Sequence, residues 1–267
     1  MILSKVQINR LVLLAGLFFF PINAANLTLK HPLRVVTEEL PPYNYRTIDG
    51  SVAGTSTQVV EALLQALKMK TKIELLPWPR AYKDATTLPN VLIYSITRTA
   101  DREDNFHWLS EIVPIDIKVF ALPDATIMPF NDLNFIGKNT LGLVRHSSRV
   151  EFVYTHKNIT KRNLIFGSSF EQLYRMNQLG RVDMFMAPDL VIQYFNHKHK
   201  TNPHSRPVTV YVLPKRFQNK LYMALSKTTP MFIVDRFKKV LDKMHKSGEI
   251  KKIITDYQEH LTTEHKH

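Results

Sequence analysis

The sequence predicts an α/β chain of two lobes, each α/β, joined by a two-crossing hinge with a ligand cleft between them. Three observations predict it. Short β-rich runs alternate with helical patterns. The alternation occurs twice, with the second unit inserted into the first. The loops that follow the strands carry hydroxyls, arginines and aromatics, and in open α/β sheets those loops are where ligands bind.

The chain of 267 residues starts with Lys5 and Arg10, then ten apolar residues (11–20, LVLLAGLFFF), Pro21 and the small residues Ala24 and Ala25. That order is a secretory signal peptide, residues 1–25, cleaved after Ala24 or Ala25. Ten apolar residues fall short of the roughly 20 that span a bilayer. No other run is apolar enough to span, so a soluble exported chain is expected, in the periplasm if the source is Gram-negative. The absence of cysteine leaves no disulfide framework and no lipid-bearing residue at the cleavage site.

About 242 residues remain after cleavage, one large or two modest domains at roughly 100 to 200 residues each. A hydrophobic content of 44% supports a buried core and argues against disorder. The net charge of +13, or +11 without Lys5 and Arg10, comes from scattered basic residues. It is read as a surface property that could steer an anionic ligand, and nucleic acid is not expected as a partner.

In the first unit, 33–37 (LRVVT) reads as a strand and 38–45 as a loop stiffened by two prolines. Residues 55–68 carry Val59, Val60, Leu63, Leu64 and Leu67 at helical spacing. A strand at 72–76, a turn into a short helix at 77–82 and a strand at 91–94 follow, and 115–122 reads as a strand leaving the unit. This order implies a mostly parallel sheet. The second unit repeats the style, with strands at 140–144, 164–166 and 181–186 and helices at 149–154, 169–179 and 190–196, Gly180 closing the middle one. Residues 208–213 return to the first unit, which 220–226 and a helix at 231–245 complete. The first lobe is therefore 26–121 with 209–267, and the second is 122–208.

After the strand at 91–94 stand Ser95, Thr97, Arg98 and Arg102, with Thr99 as N-cap of a helix whose first turn is acidic. A guanidinium presents a planar fork that matches a carboxylate, and free N–H groups at a helix start add to it. Arg102 is assigned to an anionic ligand. Arg98 stays open between that role and pairing with an acid such as Glu103 or Asp104. Trp78 and Tyr82 are open between core and cleft, Arg80 between a ligand and Glu38 or Glu39, and both glutamates read as solvated loop acids. The histidines at 197, 199, 204, 265 and 267 lack a metal-ligand spacing, so neither metal nor cofactor is expected.

The segments LRVVTEELPPYNY, SITRTADRE, GRVDMFMAPD and YMALSKTTP resemble the bacterial extracellular solute-binding proteins of family 3, which serve polar amino-acid transporters, over essentially the whole mature chain. The resemblance implies a periplasmic-binding-protein-like fold and a periplasmic monomer. Such a protein captures a small carboxylate-bearing ligand, an amino acid foremost, by hinge closure for an ABC transporter permease. By the same resemblance Arg102 holds the ligand carboxylate, Ser95 and Thr97 are hydroxyl contacts, and Ser147 with Ser148 fall at a ligand-contacting Thr/Ser pair. Asp189 lies near the acid that receives the ligand ammonium, one residue late, with Pro188 in its place. Leu40 replaces a frequent aromatic, leaving Tyr43, Tyr45 or Trp78 to pack the ligand. Arg98 replaces an apolar residue and His146 a glycine, so the cleft is more cationic than usual. An acidic amino acid, a short peptide or another small carboxylate would suit it. The fold also resembles periplasmic cyclohexadienyl dehydratases, in which Glu38, Glu39 or Asp189 would supply an acid or base. A ligand sensor or partner-binding protein without a transporter is a further alternative. With no nucleophile elbow, phosphate loop or HExxH, the chain is expected not to be an enzyme.

Overall fold

The computed structural model describes residues 32–123, 127–214 and 220–264, so the expected signal peptide lies outside the described residues. β1 (Arg34–Thr37) leads through a loop to the short hairpin of β2 (Tyr45–Arg46) and β3 (Val52–Ala53). α1 (Thr55–Ala66), β4 (Ile73–Leu75), α2 (Trp78–Thr87) and β5 (Val91–Thr97) follow. A 3-10 turn at Ala100–Asn105 precedes β6 (Phe106–Pro114) and β7 (Ile117–Ala121). Next come β8 (Leu141–Val144), α3 (Ser148–Tyr154), β9 (Leu164–Gly167), α4 (Phe170–Gln178), β10 (Met184–Pro188), α5 (Asp189–Lys198) and β11 (Val208–Val212). β12 (Lys220–Ser226), α6 (Met231–Lys246) and α7 (Glu249–Glu264) end the chain.

Two five-stranded sheets result, within one compact unit: β4-β1-β5-β12-β6 and β11-β7-β10-β8-β9. In the first, β1 runs parallel to β4 and β5, whereas β12 is antiparallel to β5 and β6. In the second, β8 is parallel to β9 and β10, whereas β7 is antiparallel to β10 and β11. Each sheet is therefore mixed, where the alternation of elements predicts mostly parallel. The parallel halves are built by helix crossovers such as β1-α1-β4, which parallel pairing requires.

Three strands depart from the sequence reading. β7, inside the bounds expected for the first lobe (26–121), lies in the second sheet between β11 and β10. β6, unassigned there, is the long partner of β12, and two register shifts along that pairing break the period-2 pattern that would have announced it. β11, expected to rejoin the first unit, pairs with β7 in the second sheet instead. Its alternating residues mark a strand but carry nothing about which sheet it enters.

β5 lies inside the first sheet and is buried at all seven positions, as its apolar run requires. α1 buries Val59, Val60, Leu63 and Leu64. At its start Gly54 has φ 122°, and a Cβ there would lie 2.3 Å from the Tyr43 carbonyl oxygen, so glycine lets α1 begin hard against the 40–44 loop. That loop and the end of β5 form one wall of the site. Among the described residues no helix is long and apolar enough to cross a membrane.

Candidate functional site

The end of β5 is bulged. Ser95 has φ 59°, and the pairing with β12 skips it, passing from Tyr94 to Ile96. A bulge re-aims a side chain. Here Ser95 Oγ donates to Asn44 Oδ1, fastening the 40–44 loop to the strand. Thr97 faces the other sheet, its hydroxyl donating to Ser148 Oγ at 2.9 Å and accepting from Arg102 Nη1 at 3.0 Å.

Arg102 is 2% exposed. Its Nη1 also donates to the Thr97 carbonyl at 3.2 Å, and its Nη2 to the His146 carbonyl at 3.0 Å. The guanidinium lies 5.4 Å from the Trp78 ring centre and 5.1 Å from that of Tyr82, within cation–π range. Trp78, 3% exposed, donates its indole N–H to the same His146 oxygen at 2.9 Å. Arg102 Nε has no hydrogen-bond partner, and Glu151 Oε1 stands 3.9 Å from it. Burial lowers the affinity of Arg102 for its proton.

The helix expected from Thr99 is the six-residue 3-10 turn. Thr99 makes no capping bond, and its buried hydroxyl is unpartnered. Arg102 therefore owes its position to Thr97, His146 and two aromatic rings rather than to a capped helix start.

The opposite wall comes from the second sheet. β8 ends in a turn where His146 has φ 58°, a left-handed conformation that glycine adopts more readily. Ser147, Ser148 and Arg149 follow, all buried. Ser147 Oγ and Arg149 Nε lack hydrogen-bond partners, and the Arg149 guanidinium lies 4.8 Å from the centre of the Phe170 ring. Glu38 reaches the same place from the end of β1. Burial pushes its carboxyl up to about 7, although Arg149 and Arg102 pull it down. Burial likewise brings the Arg149 guanidinium down to about 10, against the pull of Glu38.

Glu38, Leu40, Trp78, Ser95, Thr97, Arg102, Ser147, Ser148, Arg149 and Leu221 enclose a cavity of about 10 Å³, the volume one water needs. Six of the sequence-predicted residues thus meet: Ser95, Thr97, Trp78, Arg102, Ser147 and Ser148. The other three lie elsewhere. Arg98 turns outward, 42% exposed, and forks onto Glu103 through Nε (2.7 Å) and Nη2. It borders an adjoining pocket of about 350 Å³ that shares Ser148 and Arg149 with the small cavity. Tyr43 is buried, its carbonyl receiving the Ser56 N–H, and burial beside Asp189 and Asp116 raises its phenol. Asp189 opens α5 and pairs with Lys118 Nζ at 3.1 Å.

Four further residues line the cavity, Glu38, Leu40, Arg149 and Leu221; the loops 38–45 and 146–149 are expected at the cleft from the sequence, but neither charged residue, Glu38 nor Arg149, is assigned there as a ligand contact. Glu38, expected to be solvated, is 8% exposed because the loop folds back and Asn44 Nδ2 donates to its carbonyl. Arg149 is 6% exposed, whereas Arg145 at the other end of the same Arg-His-Ser-Ser-Arg run is exposed. The run itself was the only signal. No ion pair joins Arg80 to Glu38 or Glu39 among the described residues. Its charge acts on Glu74, and Glu39 accepts from the Arg46 N–H.

The fold agrees with solved structures at low sequence identity. A histidine kinase sensor domain with similarity to periplasmic binding proteins matches with a TM-score of 0.74 at 16% identity, covering 85% of this chain and 96% of that one. An ancestral arginine-binding protein bound to arginine matches at 0.73 and 17%, covering 85% and 97%. An arginine transport-system periplasmic binding protein from Legionella pneumophila matches at 0.68 and 13%, covering 85% and 100%. No curated protein matches in sequence. The family profile of the bacterial extracellular solute-binding proteins, family 3, matches residues 33–260, and the chain, two mixed sheets with a buried arginine between them, belongs to that family.

Proposed function

We propose that this protein is a periplasmic solute receptor that captures a small carboxylate-bearing ligand, an amino acid foremost, and delivers it to an ABC transporter. The observation that carries the reading is Arg102, a guanidinium 2% exposed whose Nε makes no hydrogen bond and which lines the same cavity as Ser147, whose hydroxyl makes none either. Buried donors left unmade are costly, and a carboxylate would satisfy both with charge-assisted bonds.

The ligand enters between two lobes, one built on each sheet. An amino acid exceeds a cavity of about 10 Å³, so the walls part to admit it. It then replaces the direct bonds from Thr97 to Ser148 and from Arg102 to His146 as the link between the walls. A ligand that touches both walls stabilises only the closed arrangement, which is the thermodynamic basis of closure. Trp78 and Tyr82 flank the guanidinium and exclude water from it. The sensor-domain likeness supports a second reading, in which a signalling partner rather than a permease reads the same closure. Both readings share the binding step.

The test is thermal unfolding of the chain lacking residues 1–25 against amino acids, short peptides, small carboxylates and prephenate, because a ligand that binds only the folded state raises its melting temperature. A rise with a carboxylate-bearing amino acid, and no chemical change in it, is expected. No rise across the panel, or turnover of a compound that binds, overturns the reading.

A further inference from the structure

The charge inventory of the cavity points to a ligand class. Three ionisable side chains line it, Glu38, Arg102 and Arg149, all almost fully buried. Two are cationic and one is acidic. Elsewhere the arginines that form ion pairs are part-exposed, Arg34 with Glu74 and Asp84, Arg98 with Glu103 and Arg175 with Glu171, whereas among the described residues Arg102 and Arg149 are the two that are buried. Among the described residues no carboxylate stands within ion-pair distance of Arg149, and its Nε has no hydrogen-bond partner. Arg102 has only Glu151 at 3.9 Å, a side chain 36% exposed that also borders the outer pocket.

We infer that the site selects an acidic amino acid, one carboxylate meeting Arg102, the second meeting Arg149, and the ammonium meeting Glu38. The inference rests on the solute-receptor reading above and names its ligand class. Removing one partner of a buried ion pair leaves the other charge uncompensated and weakens the assembly strongly. A neutral amino acid brings one carboxylate for two guanidinium groups. A dicarboxylate without an ammonium brings two negative charges against Glu38. Arginine adds a second positive charge to a site already rich in them. An acidic amino acid alone among these matches two cations and one anion. The pocket of about 350 Å³ that shares Ser148 and Arg149 offers room on the Arg149 side, where Thr99 and Phe152 also border it. The buried hydroxyls of Ser147 and Thr99, both unpartnered, supply further donors. Arg149 is thus a specificity-determining residue, and Arg98, already forked onto Glu103, is not the second arginine of the site.

Calorimetric titration of the chain lacking residues 1–25 tests this with L-glutamate, L-aspartate, L-glutamine, L-asparagine, glutarate, succinate and L-arginine. L-glutamate or L-aspartate is expected to bind at least about tenfold more tightly than its amide and than the diacid of equal length, with L-arginine weaker still. Arg149→Gln should bring the acidic amino acid down to the affinity of its amide while changing the amide by less than about twofold. Glu38→Gln should bring it down to the affinity of the diacid. Arg149→Lys, which keeps the charge, should retain the preference for acid over amide and so separates charge from loss of fold. Amide or arginine binding as tight as acid, or an Arg149→Gln variant that weakens all ligands alike, overturns the inference while leaving the solute receptor standing. Binding of none of the seven compounds overturns the inference, and the receptor reading falls with it only when the wider thermal panel also shows no rise.

Discussion

Arg98 and Arg102 leave the same corner, four residues apart, and each lies 5.4 Å from the centre of a tryptophan ring, Trp108 for the first and Trp78 for the second. Arg98 stands in solvent and is saturated by Glu103. Arg102 is enclosed, held mostly by neutral acceptors, and keeps an unpartnered Nε. Side chain and local sequence are nearly the same, so environment makes the difference. A guanidinium near a surface finds its own carboxylate, whereas one fixed by carbonyls and rings inside a cleft retains capacity for an incoming anion.

The acids near the two arginines differ in the same sense. Glu103, hydrogen-bonded to Arg98, is held below the usual carboxylate range, whereas burial pushes Glu38 up to about 7.

The largest effect should come from the rings. Trp78→Ala empties a buried site and is expected to destabilise the fold by about 3 to 5 kcal/mol, whereas Trp108→Ala, at a half-buried position, should lose less than half of that in urea unfolding. Equal losses would mean that the two arginine sites are equally enclosed.

The next effect is a pH dependence. Glu38 ionises near 4.5 when solvated and near 7 when folded, so between those values the folded chain holds more protons than the unfolded one. Stability therefore falls as pH rises through that window, by about 3 kcal/mol at most. Urea melts at pH 5 and pH 8 should show the decline in the wild type and its absence in Glu38→Gln. A decline that persists in the variant assigns it to another group.

Ligand affinity sharpens the contrast further. Arg102→Ala should weaken the best ligand at least about tenfold, and Arg98→Ala by less than about twofold, since a buried charge-assisted bond is worth roughly 1.5 to 3 kcal/mol. Calorimetry on both variants measures this, and comparable losses would place Arg98 at the ligand after all. The smallest effect belongs to Glu103→Gln, which removes an exposed pair and should leave the melting temperature at physiological salt unchanged within error.

Much of the frame was legible. The apolar runs of β1, β5 and β8 and the helical spacing of α1 depend on local burial, which residue order records. So does the hydroxyl and arginine corner, whose Ser95, Thr97 and Arg102 reach the cavity. What was not legible depends on which distant segments meet. β11 could have joined either sheet, and β6 hid its period in two register shifts. Arg98 and Arg149 both follow strands beside hydroxyl residues, and only the facing of the two walls makes one solvated and the other buried. Glu38 reads as a loop acid until Asn44 and Ser95 fold the loop over it.

The two donors that Trp78 and Arg102 extend across the cleft end on one atom, the carbonyl oxygen of His146. That oxygen belongs to the main chain, so no substitution at position 146 can delete it, although the side chain there can alter how readily the left-handed turn forms. Arg149 and Glu38, which make no bond to that oxygen, can therefore be exchanged while the fastening between the walls persists. Ligand preference and the ability to shut can drift separately, which lets one closing device serve receptors of different appetite.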